Sequence, residues 1–216
     1  MEMENNDWYS IHNIAAIDSP ALVVYPSRVK ENIHTLLSMI DDVKRLRPHV
    51  KTHKTSEAAV LMMEAGIFKF KCATIAEAEM LAIAKAPDVL LAYQPVETKL
   101  LRFIALIKKY PDTAFSCLVD SPDAAEHIAT AAVENNITIP IYIDLNIGMN
   151  RTGILPGDEA IELYKKCSTL PGIIPMGLHA YDGHIHDTDF EQRTIACNKA
   201  FEPVEQLQKD LVKEGF

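Results

Sequence analysis

Hydrophobic positions along the chain fall into two alternating kinds of run. Short, largely apolar stretches occur at ALVVY (21–25), HVK (49–51), FKFKCAT (68–74), DVLLAY (88–93), AFSCLV (114–119), IPIYIDLN (139–146) and IIPMGLHAY (173–181). They are rich in β-branched and aromatic residues and bounded by turn formers, which marks them as strands. Between them, helical spacing predicts helices over 27–43, 55–65, 75–85, 97–109, 122–135, 157–168 and 189–213. In the first of these, Val29, Ile33, Leu36, Leu37 and Ile40 share one face, with Ser27 as the expected cap. Ser121-Pro122 opens another helix in the favoured cap-then-proline order, and Gly66 stops the helix over 55–65.

Near-continuous apolar strands, each followed by a helix, imply a parallel sheet buried on both faces. The unit length of about 20–30 residues suits βα units rather than a solenoid. A closed barrel and an open doubly wound sheet both fit. No G-x-G-x-x-G follows the first strand, which counts against a dinucleotide fold. No Gly/Ser-rich linker divides the chain, so the expected organisation is an arm over 1–20 followed by one α/β domain over 21–216.

Composition narrows the functional classes. The 216 residues are 48% hydrophobic and 24% charged, as in ordinary globular proteins. The formal net charge of −9 argues against a nucleic-acid partner. No apolar run is long enough to span a bilayer, so no membrane partner is expected. The start, MEMENNDWYS, lacks the basic flank and apolar segment of a secretory signal. Cys72, Cys117, Cys167 and Cys197 form no close pair, which suggests free thiols in a reducing cytoplasm.

Candidate chemistry concentrates in RPHVKTHKT, residues 47–55. On an extended backbone Lys51 and His53 would share one side. In a barrel, chemistry collects at the C-terminal ends of strands, where a desolvated lysine can attack a carbonyl as a free amine. The alternative is a solvated lysine in a basic turn with Arg45, Arg47 and Lys54. Arg151 either faces a site or pairs with Asp144 or Asp158. His184 and His186 form an H-x-H pair without an identifiable third ligand, so no metal site is assigned.

RPHVKTHKT, together with ATIAEAEML (73–81), LNIGMNRTG (145–153), GLHAYDGHIH (177–186) and the opening IDSPALVVYPSRVKENI (17–33), resembles fold-type III pyridoxal phosphate enzymes. The likeness is to the D-threonine aldolase and D-serine dehydratase branch of the alanine racemase-like group. The resemblance implies a TIM-type (β/α)8 barrel and a PLP-dependent lyase that forms a lysine Schiff base with pyridoxal 5'-phosphate. A small D-β-hydroxy amino acid is the implied substrate, and a homodimer the implied assembly. Amino-acid racemisation on the same scaffold, a non-catalytic PLP-binding protein and a truncated inactive protein are the alternatives. By position, Lys51 matches the cofactor lysine, Arg151 the arginine near the phenolic oxygen, and Tyr181 the residue against the pyridine ring. His53 is expected near the cofactor, and His179, Gly183 and His184 are expected to border the same mouth. A full barrel typically needs about 250 residues, so roughly six of its eight strands are expected here. Strand 21–25 would belong to a separate C-terminal β domain. The divalent metal of the family would also lie outside this chain, and little turnover is expected of the chain alone.

Overall fold

The computed structural model describes residues 8–216; the first part of the arm expected over 1–20, residues 1–7, lies outside the described residues. Five strands form one parallel sheet in the order β1-β2-β3-β4-β5: β1 Lys69–Cys72, β2 Asp88–Leu91, β3 Ala114–Val119, β4 Ile139–Leu145 and β5 Ile173–Ala180. The helices are α1 Pro26–Ser38, α2 Ser56–Glu64, α3 Ile75–Ile83, α4 Glu97–Lys109, α5 Pro122–Glu134, α6 Asp158–Thr169 and α7 Phe190–Lys213. Sequential parallel neighbours joined by helices are the connectivity of a (β/α) barrel wall, not of a doubly wound sheet.

Strand alternation decides what each face carries. Phe70, Cys72, Val89, Leu91, Phe115, Cys117, Val119, Ile139, Ile141 and Ile143 point toward the helices and are buried. They pack against Leu81, Phe103, Ile104, Ala125, Ile128, Leu163 and others to form the core. The opposite, inner face carries Lys69, Lys71, Leu90, Ser116, Leu118, Tyr142 and Asp144, a mixed lining suited to holding a polar ligand. A bulge interrupts the β4–β5 ladder: Ile141 pairs with Pro175 but Tyr142 pairs with Gly177, leaving Met176 extra.

Two expected strands do not form. Residues 21–25 run without a ladder partner, with Leu22 81% and Val24 53% exposed, and β-branched residues alone do not make a strand without a neighbour to pair with. At 49–51 the sheet contributes only a single bridge, His49 to Lys71, beside the Lys71 N–H bond to the Pro48 carbonyl. The backbone then tightens into a 3-10 turn over Val50–Thr52, closed by the His53 and Lys54 N–H groups on the Val50 carbonyl. Lys54 completes the turn with φ 52°. The barrel wall therefore has five strands and one bridged position where six strands were expected.

The first helix is shorter than its apolar pattern. It starts at Pro26 with Tyr25 rather than Ser27 as its cap, and ends at Ser38. Beyond it Asp42 caps a separate 3-10 turn by accepting from the Lys44 N–H. Ahead of it, Trp8 packs edge-on against Tyr25 and lies under the Arg28 guanidinium, tying the start of the described chain to α1. Among the described residues no helix is long and apolar enough to cross a membrane.

Candidate active site

A cavity of about 260 Å³ opens at the C-terminal end of the sheet, on its inner face. Its lining comes from the His49–Lys51 turn, from Lys71 and Ala73 beyond β1, from Tyr93 and Leu118, and from Asp144, Arg151, His179 and Tyr181. Three cations surround the Tyr181 ring: Arg151 at 5.5 Å, Lys71 Nζ at 5.6 Å and Lys51 Nζ at 5.9 Å from its centroid.

Each side chain is held by its own local structure. Lys51 sits in the 3-10 turn, and its N–H donates to His49 Nδ1 at 3.2 Å. That bond needs a neutral imidazole, and burial, with Lys51 and Lys71 nearby, pushes His49 down to about 4. The same turn is tied to α3 by Glu77, a buried carboxylate that accepts from Lys54 Nζ at 2.8 Å and from the Ala73 N–H at 2.7 Å.

Arg151 rides on the loop after β4. Asn146 Oδ1 accepts from the N–H groups of Gly148 and Asn150, both at 3.1 Å, and the Gly153 N–H donates to Asp120 Oδ2 at 2.9 Å. Gly153 has φ +97°, and a Cβ there would lie 2.6 Å from the Leu145 carbonyl carbon and the Asn146 nitrogen. Only glycine closes the loop at that point. Arg151 makes no ion pair with Asp144 or Asp158 among those described. Asp144 instead accepts from the Thr152 hydroxyl at 2.9 Å and meets His179 Nδ1 at 2.6 Å.

Of the residues singled out from sequence, Lys51, Arg151, Tyr181 and His179 converge on this cavity. Gly183 abuts it from outside: a Cβ there would run into the Tyr181 ring. His53 does not join them. In a 3-10 turn, residues two apart are rotated by roughly 240°, not returned to one side as on a strand. His53 accordingly lines a separate groove with Leu22, Val24 and Met62, where its Nδ1 accepts from the Thr55 N–H at 3.2 Å. His184 packs over Gly148 and lines a different hollow with Ile185 and Lys199. Among the described residues no group of three or more His, Cys, Asp or Glu side chains is arranged to hold a metal.

Lys71 is the residue that sequence reasoning missed. The alternation Phe-Lys-Phe-Lys-Cys over 68–72 is its signal: Phe70 and Cys72 face the core, which sends Lys69 and Lys71 inward.

The sequence profile of the alanine racemase N-terminal domain matches residues 24–215. The chain belongs to that family. Within the alanine racemase N-terminal domain family, it is 27% identical to a D-threonine aldolase of an Arthrobacter species over 193 residues, 87% of this chain and 49% of that protein. It is 33% identical to alanine racemase 1 of Clostridium acetobutylicum over 152 residues, 69% of this chain and 37% of that protein. The crystal structure of D-threonine aldolase from Filomicrobium marinum superposes with a TM-score of 0.87 at 29% identity, covering 94% of this chain and 55% of that one. The chain thus spans about half the length of the aldolases it matches.

Proposed function

We propose that this chain is the cofactor-carrying part of a pyridoxal phosphate-dependent lyase acting on D-β-hydroxy amino acids, of the D-threonine aldolase or D-serine dehydratase type. The convergence of the Lys51 amine, the Arg151 guanidinium and the Tyr181 ring on one cavity carries this reading. An aldehyde, an anionic oxygen and a flat heteroaromatic ring each find a complementary group there, so the donor set fits the cofactor. When bound, pyridoxal phosphate supplies an electron sink for charge developing at the substrate's amino-bearing carbon.

The chain's own residues divide the remaining work. Lys51 would hold the cofactor's aldehyde end through its amine and would be the group that an incoming substrate amine replaces. Tyr181 would support the flat ring of the cofactor by face contact, and the Arg151 guanidinium would favour the anionic form of its phenolic oxygen. Lys51, Lys71 and Arg151 outnumber the single lining carboxylate, Asp144, which makes the cavity attractive to phosphate and carboxylate groups.

Borohydride reduction of the chain mixed with pyridoxal phosphate tests the assignment. The pyridoxyl group is expected on the peptide carrying Lys51; a label on Lys54 or Lys71 overturns the reading. Lys51→Ala should abolish covalent capture and leave the fold intact, because the side chain is exposed and contributes little burial. A racemase reading is favoured by the match to an alanine racemase. The two separate by product: cleavage or dehydration of D-threonine and D-serine supports the lyase, and L-alanine formed from D-alanine supports the racemase.

A further inference from the structure

Nothing in the family resemblance gives Lys71 a task, yet its side chain is among the most constrained in the cavity. Its Nζ stands 2.6 Å from His179 Nε2, and His179 Nδ1 stands 2.6 Å from Asp144 Oδ1. Asp144 is buried, and its second oxygen accepts from the Thr152 hydroxyl at 2.9 Å, so the far end of this chain of contacts is fixed. A lysine needed only to neutralise Asp144 would touch the carboxylate directly. Here an imidazole is interposed, a group that can take up a proton on one nitrogen while hydrogen-bonded through the other. With Nδ1–H donating to Asp144, Nε2 accepts from the Lys71 ammonium. Moving one proton from Nζ to Nε2 leaves a neutral Lys71 beside an imidazolium that Asp144 stabilises. Lys71 therefore keeps its partner in both protonation states.

We propose that Lys71 is a second working amine of this cavity, taking a proton from the molecule bound against Tyr181 and returning it, with His179 and Asp144 as its positioning residues. The inference rests on the proposed function for its placement of the bound molecule over Tyr181. In the forward step a C–H or O–H bond of that molecule breaks and its electron pair stays behind. The proton forms the new N–H bond at Nζ, and the reverse step restores both groups.

The surroundings favour an amine that can give up its charge. Burial pushes Lys71 down from the ordinary lysine value; Asp144 opposes this, and Lys51, Arg151 and Arg47 reinforce it. His49 also faces it and, pushed down to about 4, adds no charge near neutral pH. Tyr181 presents only its ring.

Trace acetylation of the cofactor-free chain across a pH series, read by peptide mass spectrometry against an added lysine peptide, tests the inference. Lys71 labelling is expected to inflect at lower pH than the standard. The inflection should move lower still in Asp144→Asn and higher in Arg151→Gln. An inflection matching the standard overturns the proposal. Added pyridoxal phosphate should also slow Lys71 labelling. Capture of the cofactor on Lys51 with Lys71 labelling unchanged would refute contact between Lys71 and the bound molecule. Failure of capture at Lys51 would count against the cofactor reading alone, and the cofactor-free inflection would then decide the case for Lys71.

Discussion

Replacing Glu77 by glutamine should loosen the turn that presents Lys51. The carboxylate is 5% exposed and joins two elements, accepting from the Ala73 N–H at 2.7 Å and from Lys54 Nζ at 2.8 Å. A hydrogen bond to a charged acceptor is worth about 1.5–3 kcal/mol. The Lys54 pair adds at most about 1 kcal/mol, because its ammonium side chain is 64% exposed and screened by solvent. Glutamine keeps one acceptor but turns an NH2 toward one of the two donors, so the loss should be about 2 kcal/mol. For a domain of this size that lowers Tm by roughly 4–8 °C. Burial raises the Glu77 pKa, but Lys54 and the Ala73 N–H outweigh it, and the folded carboxyl lies below its ordinary value. The stability it contributes is present above the unfolded value of about 4.3 and is lost as pH falls through the lower folded value. Thermal melts of both proteins over a pH series should therefore show a gap at neutral pH that closes in acid. A neutral-pH gap under about 0.5 kcal/mol, or one that persists unchanged into acid, would refute the clamp.

Three further perturbations probe the cavity and the sheet below it. Gly183→Ala should displace the Tyr181 ring and weaken cofactor binding by roughly tenfold, about 1.4 kcal/mol, with little change in melting temperature; an absorbance titration with pyridoxal phosphate reads it. Arg151→Lys should also weaken binding, since a point charge does not reproduce a planar fork, and unchanged affinity would place the pocket elsewhere. Arg47→Lys should cost about 1–2 kcal/mol in urea unfolding, because Arg47 holds both oxygens of Asp88, at 2.6 and 2.9 Å, in a half-buried pair.

Where the sequence was legible, the reason is burial. The strands over 68–74, 88–93, 114–119 and 139–146 each bury core-facing residues, and the one over 173–181 packs Ile173, Leu178 and Ala180 against the same core, so their apolar runs mark them within a few residues. ALVVY over 21–25 carries the same signal without a partner strand, and pairing is a property of two segments that one segment cannot announce. HVK misleads for a local reason: the chain turns after one bridge, which sends Lys51 to the cavity and His53 to the groove beside Leu22. Arg151 and Tyr181 were placed by the family resemblance, and both follow strands at the end where a parallel barrel gathers its loops. Lys71 was overlooked because it lies within a strand, where an inward lysine is told from a solvated one only by knowing what lies across the sheet.

The extra residue at Met176 decides which side chain of β5 enters the cavity. Side chains on a strand follow odd–even parity, and an inserted residue reverses parity for everything beyond it. With the bulge, Gly177 sits opposite Tyr142 and His179 opposite Asp144, so the imidazole shares the carboxylate's side of the sheet. If Met176 instead took a regular place in the ladder, Leu178 would stand opposite Asp144 and His179 would turn toward the helices, leaving the carboxylate beside a hydrocarbon. Deleting this one solvent-exposed methionine should therefore spare the cavity, because Gly177 would follow Pro175 directly and fall opposite Tyr142 by plain alternation, whereas inserting one residue after Gly177 should turn His179 away from Asp144.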